Sequence, residues 1–67
     1  MNRGESEKMK VSEFKRELRR LGCYPVGGSK HEHWLNPKTG ATAPVSRHDS
    51  QEIKPGTKKS ILKILGL

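Results

Sequence analysis

The chain has 67 residues and a formal net charge of +7, from 14 basic and 7 acidic side chains. A chain of this length forms one domain with a small core and has no room for a second. No apolar run approaches the roughly 20 residues of a membrane span, and the first ten residues lack the apolar segment of a signal peptide. We therefore expect a small, basic, cytoplasmic protein with no membrane contact.

Cys23 is the only cysteine, so an internal disulfide is excluded. Small secreted domains are usually stapled by several disulfides, and this chain lacks them. We therefore interpret Cys23 as a small half-buried residue rather than as a nucleophile.

The positive charge lies at the two ends of the chain. Residues 1–22 carry seven basic and four acidic groups, and residues 55–67 carry three basic groups and no acidic one. The middle is nearly neutral and holds all three histidines. Such a charge attracts polyanions, chiefly nucleic acid, although an excess of lysine also serves plain solubility.

The first element predicted is a helix that follows a disordered tail at residues 1–9. A helical stripe is formed by Val11, Phe14, Leu18 and Leu21, which predicts a helix from Ser12 to Leu21. Ser12 is the expected N-cap, and Gly22 suits the left-handed position after the last turn. The opposite side of this helix is basic, through Lys15, Arg16, Arg19 and Arg20.

Three short extended segments follow, at residues 24–26, 31–35 and 41–45, with a Pro/Gly turn between the last two. Pro44 indicates that the third segment lies at a sheet edge or that the strand ends there. Residues 47–54 form a polar loop, and a second helix begins at Pro55. Its apolar face contains Ile61, Leu62, Ile64 and Leu65. The predicted fold is α+β: an α-β-β-β-α domain with a three-stranded antiparallel sheet and both helices on one face.

The segment from Gly27 to Trp34 contains the densest set of chemically active residues. Its glycines allow a ligand to approach the backbone, and its imidazoles exchange protons near neutral pH. By themselves, these residues are more typical of an ordinary hairpin with a structural histidine than of a catalytic site. The histidines and Cys23 also raise the possibility of zinc, but their spacing fits no closed structural site.

The sequence resembles the HicA family of toxin ribonucleases from about Lys10 to Leu67. The resemblance is carried by Gly-Gly-Ser-Lys-His at residues 27–31, Asn36-Pro37, the segment Pro44 to His48, and above all the closing segment from Ile53 to Leu67. It implies a fold similar to double-stranded-RNA-binding domains, which agrees with the element order above.

The resemblance also implies a catalytic histidine just after the glycine turn. The family's histidine stands six residues before the turn proline and three before an aromatic residue. His31 matches both counts, relative to Pro37 and Trp34, and His33 matches neither. Lys30, inserted between Ser29 and His31, departs from the family pattern. Trp34 itself is expected in the core.

The implied function is an endoribonuclease that cuts mRNA without a metal or other cofactor, acts as a monomer, and is neutralised by a HicB-type antitoxin. The expected RNA-binding residues are Gly28, Ser29, Lys30, His33, Arg47 and His48. The alternative is a non-catalytic RNA-binding module of the same fold. A DNA-binding regulator is a weaker alternative, because the chain lacks a helix-turn-helix pattern.

Overall fold

The computed structural model describes residues 9–28 and 30–67. Ser29 and all but Met9 of the predicted tail lie outside the described residues. The elements are β1 (Met9–Lys10), α1 (Val11–Arg20), β2 (Tyr24–Gly27), β3 (Glu32–Asn36), β4 (Ala41–Val45), β5 (Glu52–Ile53) and α2 (Pro55–Ile64).

Helix α1 begins one residue earlier than predicted, because its N-cap is Lys10 and not Ser12. The Glu13 side chain accepts a hydrogen bond of 3.0 Å from the Lys10 amide, which satisfies one of the unpaired donors of the first turn. Gly22, at φ +96°, ends the helix as predicted. Leu21 was expected on the buried stripe, but it lies past the last helical turn and is exposed.

The main sheet has the antiparallel order β2-β3-β4, so β3 is central. Trp34 pairs with Ala43 and His33 pairs with Pro44, and neighbouring pairs point to opposite faces. Pro44 therefore lies on an edge strand, as predicted, where its missing N–H breaks no ladder.

Both helices pack on the same face of this sheet, which confirms the predicted fold class. A single buried cluster contains Phe14 and Leu18 of α1, Ile61 of α2 and Trp34 and Val45 of the sheet. Burial of each such side chain contributes about 1.5–3 kcal/mol to stability. Among the described residues, neither helix is long and apolar enough to cross a membrane.

The C-terminal end of α2 is fastened to the β3–β4 turn by Asn36. The buried Asn36 side chain donates from Nδ2 to the carbonyl oxygen of Leu65 at 2.7 Å, and its Oδ1 accepts from the Lys38 amide at 3.1 Å. Ile61 and Leu65 are buried one turn apart, whereas Ile64 is 52% exposed. The apolar face predicted for α2 is thus narrower than expected.

A second, two-stranded sheet replaces part of the polar loop predicted at residues 47–54. Strands β1 and β5 pair antiparallel, with Met9 opposite Ile53 and Lys10 opposite Glu52. Ile53 is buried in this ladder, and Met9, assigned to the tail on sequence, packs against the core. The ladder brings the starts of both helices together.

Candidate functional site

The glycine turn between β2 and β3 is a tight backbone crossing at Gly28. Gly28 has φ +129°, a conformation that L side chains rarely adopt. A Cβ atom at this position would overlap the carbonyl oxygen of His31 and Nδ1 of His33. Glycine is therefore required at position 28 by both the backbone angle and the lack of space.

Arg47 fastens this turn to the end of β4. Its guanidinium Nη2 donates a hydrogen bond to the Gly28 carbonyl oxygen. Arg47, Gly28, His31 and His33 are thereby brought together, although they come from two separate segments of the sequence. The structure gives Arg47 a contact within the protein in addition to the ligand contact expected from sequence.

His31 is exposed in the bend that precedes β3, which starts at Glu32 and not at His31 as predicted. Its imidazole is therefore open to a ligand from solvent. His33 is half-buried and lies on the sheet face opposite the helices, because its partner across the ladder is Pro44 rather than a core residue.

The remaining predicted site residues are less closely associated with the turn. Lys30 and His48 are exposed, and no hydrogen bond joins either side chain to another described residue. The His48 amide instead donates to Ser46 Oγ at 3.0 Å within its own loop. Over residues 9–28 and 30–67, no three His, Cys, Asp or Glu side chains come together as a group that could hold a metal ion.

A charged cluster that the sequence did not predict lies beside the turn. Lys15 Nζ is 2.7 Å from Glu32 Oε1 and 2.7 Å from Asp49 Oδ1, and Trp34 Nε1 donates to Glu32 Oε1 at 3.0 Å. We call these four residues the Lys15 network. The Lys15 side chain is only 13% exposed, so its predicted place on the outer face of α1 is wrong.

The pKa values of the network reflect these contacts. Desolvation lowers the pKa of Lys15, but hydrogen bonds to Asp49 and Glu32 outweigh it and leave this pKa above its ordinary value. The hydrogen bond from Lys15, with a further one from Trp34, holds the pKa of Glu32 below its ordinary value. Both groups are thus charged at neutral pH. Burial raises the pKa of the Cys23 thiol, which lies within the core and is more buried than the half-buried position predicted from sequence.

A cleft of about 240 Å³ opens between α1 and the start of β3. We call it the α1 cleft; it is lined by Ser12, Arg16, Arg19 and the Lys15 network. The Arg19 guanidinium lies over the Trp34 ring, 5.2 Å from its centre, and Trp34 is 1% exposed beneath it. The cleft begins at Glu32, the residue that follows His31.

One sequence pattern could have predicted part of the Lys15 network. Every second residue of β3 faces the helices, so a strand that buries Trp34 also turns Glu32 and Asn36 toward them. A carboxylate on that face needs a cation to offset its desolvation, and α1 is the nearest source. Asp49 could not be found in this way, because it lies in an irregular loop.

The arrangement combines a proton-exchanging group with several cations on one end of the molecule. The exposed His31 imidazole supplies acid–base chemistry, and Lys30, Arg47 and the arginines of the α1 cleft are suited to an anionic ligand. This end of the molecule is therefore suited to a negatively charged ligand.

Comparisons with known proteins identify the family of this chain. A search of curated protein sequences gives no match. A chain of the crystal structure of the E. coli HicAB toxin–antitoxin complex is 38% identical and superposes with a TM-score of 0.76, covering 85% of this chain and 96% of its own length. The family model described as the HicA toxin of bacterial toxin–antitoxin systems matches residues 11–67. The chain belongs to the HicA toxin family.

Proposed function

We propose that this toxin is an endoribonuclease that cuts mRNA by proton transfer at His31 and is neutralised by a HicB-type antitoxin. The observation that carries the proposal is the exposed imidazole of His31 beside a glycine turn held by Arg47. Membership of the HicA family supports it.

RNA contains its own nucleophile, so the protein has to supply little covalent chemistry. A base removes the proton of a ribose 2′-hydroxyl, whose oxygen attacks the adjacent phosphorus. The bond to the 5′-oxygen breaks, and that oxygen takes up a proton. The products are a 2′,3′-cyclic phosphate and a 5′-hydroxyl. His31 acts at one of the two proton transfers, and a neighbouring cation offsets the charge on the phosphate.

Lys30 and Arg47 are the cations that we assign to the phosphate. Lys30 directly precedes His31, and Arg47 is already bonded to the turn through Gly28. Backbone amides of the turn, with Ser29, His33 and His48, complete the proposed RNA-contacting set. These contacts position the phosphate backbone and do not read sequence.

The test is expression of wild type, His31→Ala and His33→Ala in cells, with growth and mRNA integrity as readouts. We expect wild type to degrade mRNA and His31→Ala to lose at least about a hundredfold in cleavage rate, the usual contribution of acid–base catalysis. His33→Ala should lose some activity, because the His33 ring packs against Gly28 of the turn. It should retain the rest, because proton transfer is assigned to His31. Purified wild type should keep its activity after chelator treatment.

Three outcomes would contradict the proposal in different ways. Equal cleavage by wild type and His31→Ala would remove His31 from the mechanism. Complete loss only in His33→Ala would move the catalytic role by two residues. Intact mRNA that wild type nevertheless binds would favour the non-catalytic RNA-binding module.

The antitoxin is proposed by analogy with the E. coli HicAB complex. A partner that covers the glycine turn would block the exposed His31, and an acidic surface would suit the net charge of +7. Co-expression of a HicB-type protein should restore growth and mRNA integrity. Without it, we expect the toxin to be a monomer acting on mRNA in the cytoplasm.

A further inference from the structure

We propose that the α1 cleft is a second RNA contact, which binds one backbone phosphate next to the cleaved bond through Arg16 and Arg19. The inference rests on the proposed function and deepens it by placing a substrate subsite outside the glycine turn. It makes α1, and not only the histidine-bearing loop, part of the substrate-binding surface.

The carboxylates of the α1 cleft pair with Lys15, which leaves Arg16 and Arg19 available to a ligand. Glu32 and Asp49 both bind Lys15, at 2.7 Å each, so one ammonium engages both carboxylates. Arg16 and Arg19 form no ion pair with any carboxylate of residues 9–28 and 30–67. The cleft therefore presents two guanidinium groups without a protein counter-ion, which is the arrangement that attracts a phosphate.

Arg19 is held in place before any ligand arrives. Its guanidinium lies over the Trp34 ring in a cation–π contact, and the Trp34 ring is itself fixed by its hydrogen bond to Glu32. This contact uses no N–H group in a hydrogen bond, so the guanidinium retains its donors for a phosphate. Binding therefore requires less loss of side-chain freedom than at a mobile surface arginine.

The size of the cleft decides which part of the RNA enters. Its 240 Å³ is smaller than the roughly 300–1,000 Å³ of sites that enclose a drug-sized ligand. Trp34 is 1% exposed, so no aromatic face is open for a base to stack on. The buried Trp34 ring and the small volume favour a phosphate over a base stacked on Trp34, so we expect the contact to be independent of sequence.

The position of the cleft links it to the proposed catalytic residue. Glu32 lines the cleft and follows His31 directly, so the cleft and the histidine-bearing loop meet at the start of β3. Successive side chains of a strand point to opposite faces, so an RNA strand with its scissile phosphate at His31 would pass around this end of β3 to place a neighbouring phosphate over α1. Arg20 offers a matched control, because it is on the same helix, does not line the cleft, and lies 4.0 Å from Glu17.

The experiment measures RNA binding in the His31→Ala background, so that the RNA stays intact. Fluorescence anisotropy of a labelled single-stranded RNA is recorded over a range of salt concentrations for Arg16→Gln, Arg19→Gln, the double variant of these two and Arg20→Gln. Loss of the phosphate contact should reduce the magnitude of the slope of log K against log salt by about 0.7. We expect this change for the double variant Arg16→Gln/Arg19→Gln, a smaller change for each single variant, and none for Arg20→Gln.

A second arm locates the phosphate. Each backbone phosphate of the RNA in turn is replaced by an uncharged methylphosphonate, and affinity is measured again. The protein with both arginines should lose affinity at one position beside the cleavage site, and the double variant Arg16→Gln/Arg19→Gln should be insensitive at that same position. Additive losses from the arginine and phosphate changes at every position would overturn the proposal.

The controls separate this proposal from the proposed function. If wild type neither cuts nor binds RNA, the function itself fails. If wild type cuts RNA but the slopes for Arg16→Gln and Arg19→Gln equal that for Arg20→Gln, only the cleft proposal fails. Should Arg19→Gln unfold by thermal melting, Arg16→Gln carries the test, because Arg16 does not stack on Trp34.

Discussion

The two ends of the central strand β3 are held by different kinds of contact. At the Asn36 end, a buried amide binds the backbone of α2 and of its own turn. At the His31 end, charged side chains of the Lys15 network and Arg47 hold a partly exposed backbone. Exposed ion pairs contribute little to stability, whereas a buried polar group left without its partner is costly.

This difference indicates a division of work along one strand. The Asn36 end stabilises the fold and presents few groups to a ligand. The His31 end contributes less to stability, and its charges and its open imidazole are available for binding. Three substitutions test whether the division holds. Gly28→Ala and Lys15→Met change the His31 end, and Asn36→Ala changes the Asn36 end.

The largest effect is expected from Gly28→Ala at the His31 end. The added methyl group would overlap the carbonyl of His31 and displace the turn, and a displacement of about 1 Å near reacting groups can cost about a hundredfold in rate. We expect mRNA cleavage to fall by about that factor. The measurement is the initial cleavage rate of purified toxin on a defined RNA.

Gly27→Ala is the matched control for this change. Gly27 also has a positive φ, +105°, but no atom lies within 4 Å of a Cβ built there. Both variants carry the backbone cost of about 1–2 kcal/mol, and only Gly28→Ala moves His31. Equal cleavage rates in the two variants would show that the close approach at Gly28 has no role.

A smaller effect, on stability alone, is expected from Asn36→Ala. The change removes two hydrogen bonds and leaves the Leu65 carbonyl oxygen with only a longer contact to Thr39 Oγ1, at 3.4 Å. The free energy of unfolding should fall by about 2 kcal/mol. For a domain of this size the midpoint of thermal unfolding would drop by about 8–16 °C.

Activity distinguishes the Asn36 end from the His31 end. Below the new unfolding midpoint, the cleavage rate of Asn36→Ala should equal that of wild type. Thr42→Ala, on the exposed face of the sheet, is the control for loss of a polar side chain and should melt like wild type. A lower cleavage rate in fully folded Asn36→Ala would mean that the two ends are coupled.

The smallest effect is expected from Lys15→Met in the network. Asp49 is 59% exposed, so we expect a loss of only about 1 kcal/mol in unfolding free energy at neutral pH. The pKa of Glu32 is depressed in the folded state, so the stabilisation is present above its ordinary pKa of 4.5 and is lost as the pH falls through the depressed value. The measurement is urea unfolding as a function of pH.

The stabilisation by the Lys15 network also has an alkaline limit, which is set by the pKa of Lys15. The pKa of Lys15 is raised in the folded state, so the same stabilisation is present below its ordinary value of 10.5 and is lost as the pH rises through the raised value. The difference between wild type and Lys15→Met should therefore be constant between these limits. Lys15→Arg should retain most of it, and a difference that persists in strong acid would contradict the assignment.

The periodic elements of this fold were predictable from the sequence, and the polar connections between them were not. The stripe of Val11, Phe14 and Leu18 predicted α1 because apolar spacing alone determines which helix face is buried. The position of the N-cap was wrong because Ser12 and Lys10 compete for it, and the contact from Glu13 to the Lys10 amide decides. Strand β5 was missed because two residues have no detectable period.

The candidate site likewise has one part that the sequence predicted and one part that it did not. His31 was proposed from its distance to Pro37 and Trp34 in the sequence, and the structure leaves its ring exposed. The contact of Arg47 with Gly28 joins residues 19 positions apart, and that of Lys15 with Asp49 joins residues 34 apart. Such pairs depend on how loops cross in space, which no local pattern encodes.

The ladder between β1 and β5 has a consequence for the order in which the domain assembles. It joins Met9 to Ile53 with only two residue pairs, while the hairpin of β3 and β4 closes over the four residues of its turn. Closing a long loop costs more chain entropy before any contact offsets it, so the hairpin forms early and the ladder late. We therefore expect the N-terminal ends of the two helices to come together last in folding, when the β1–β5 ladder forms. Local unfolding is expected to begin at the same ladder.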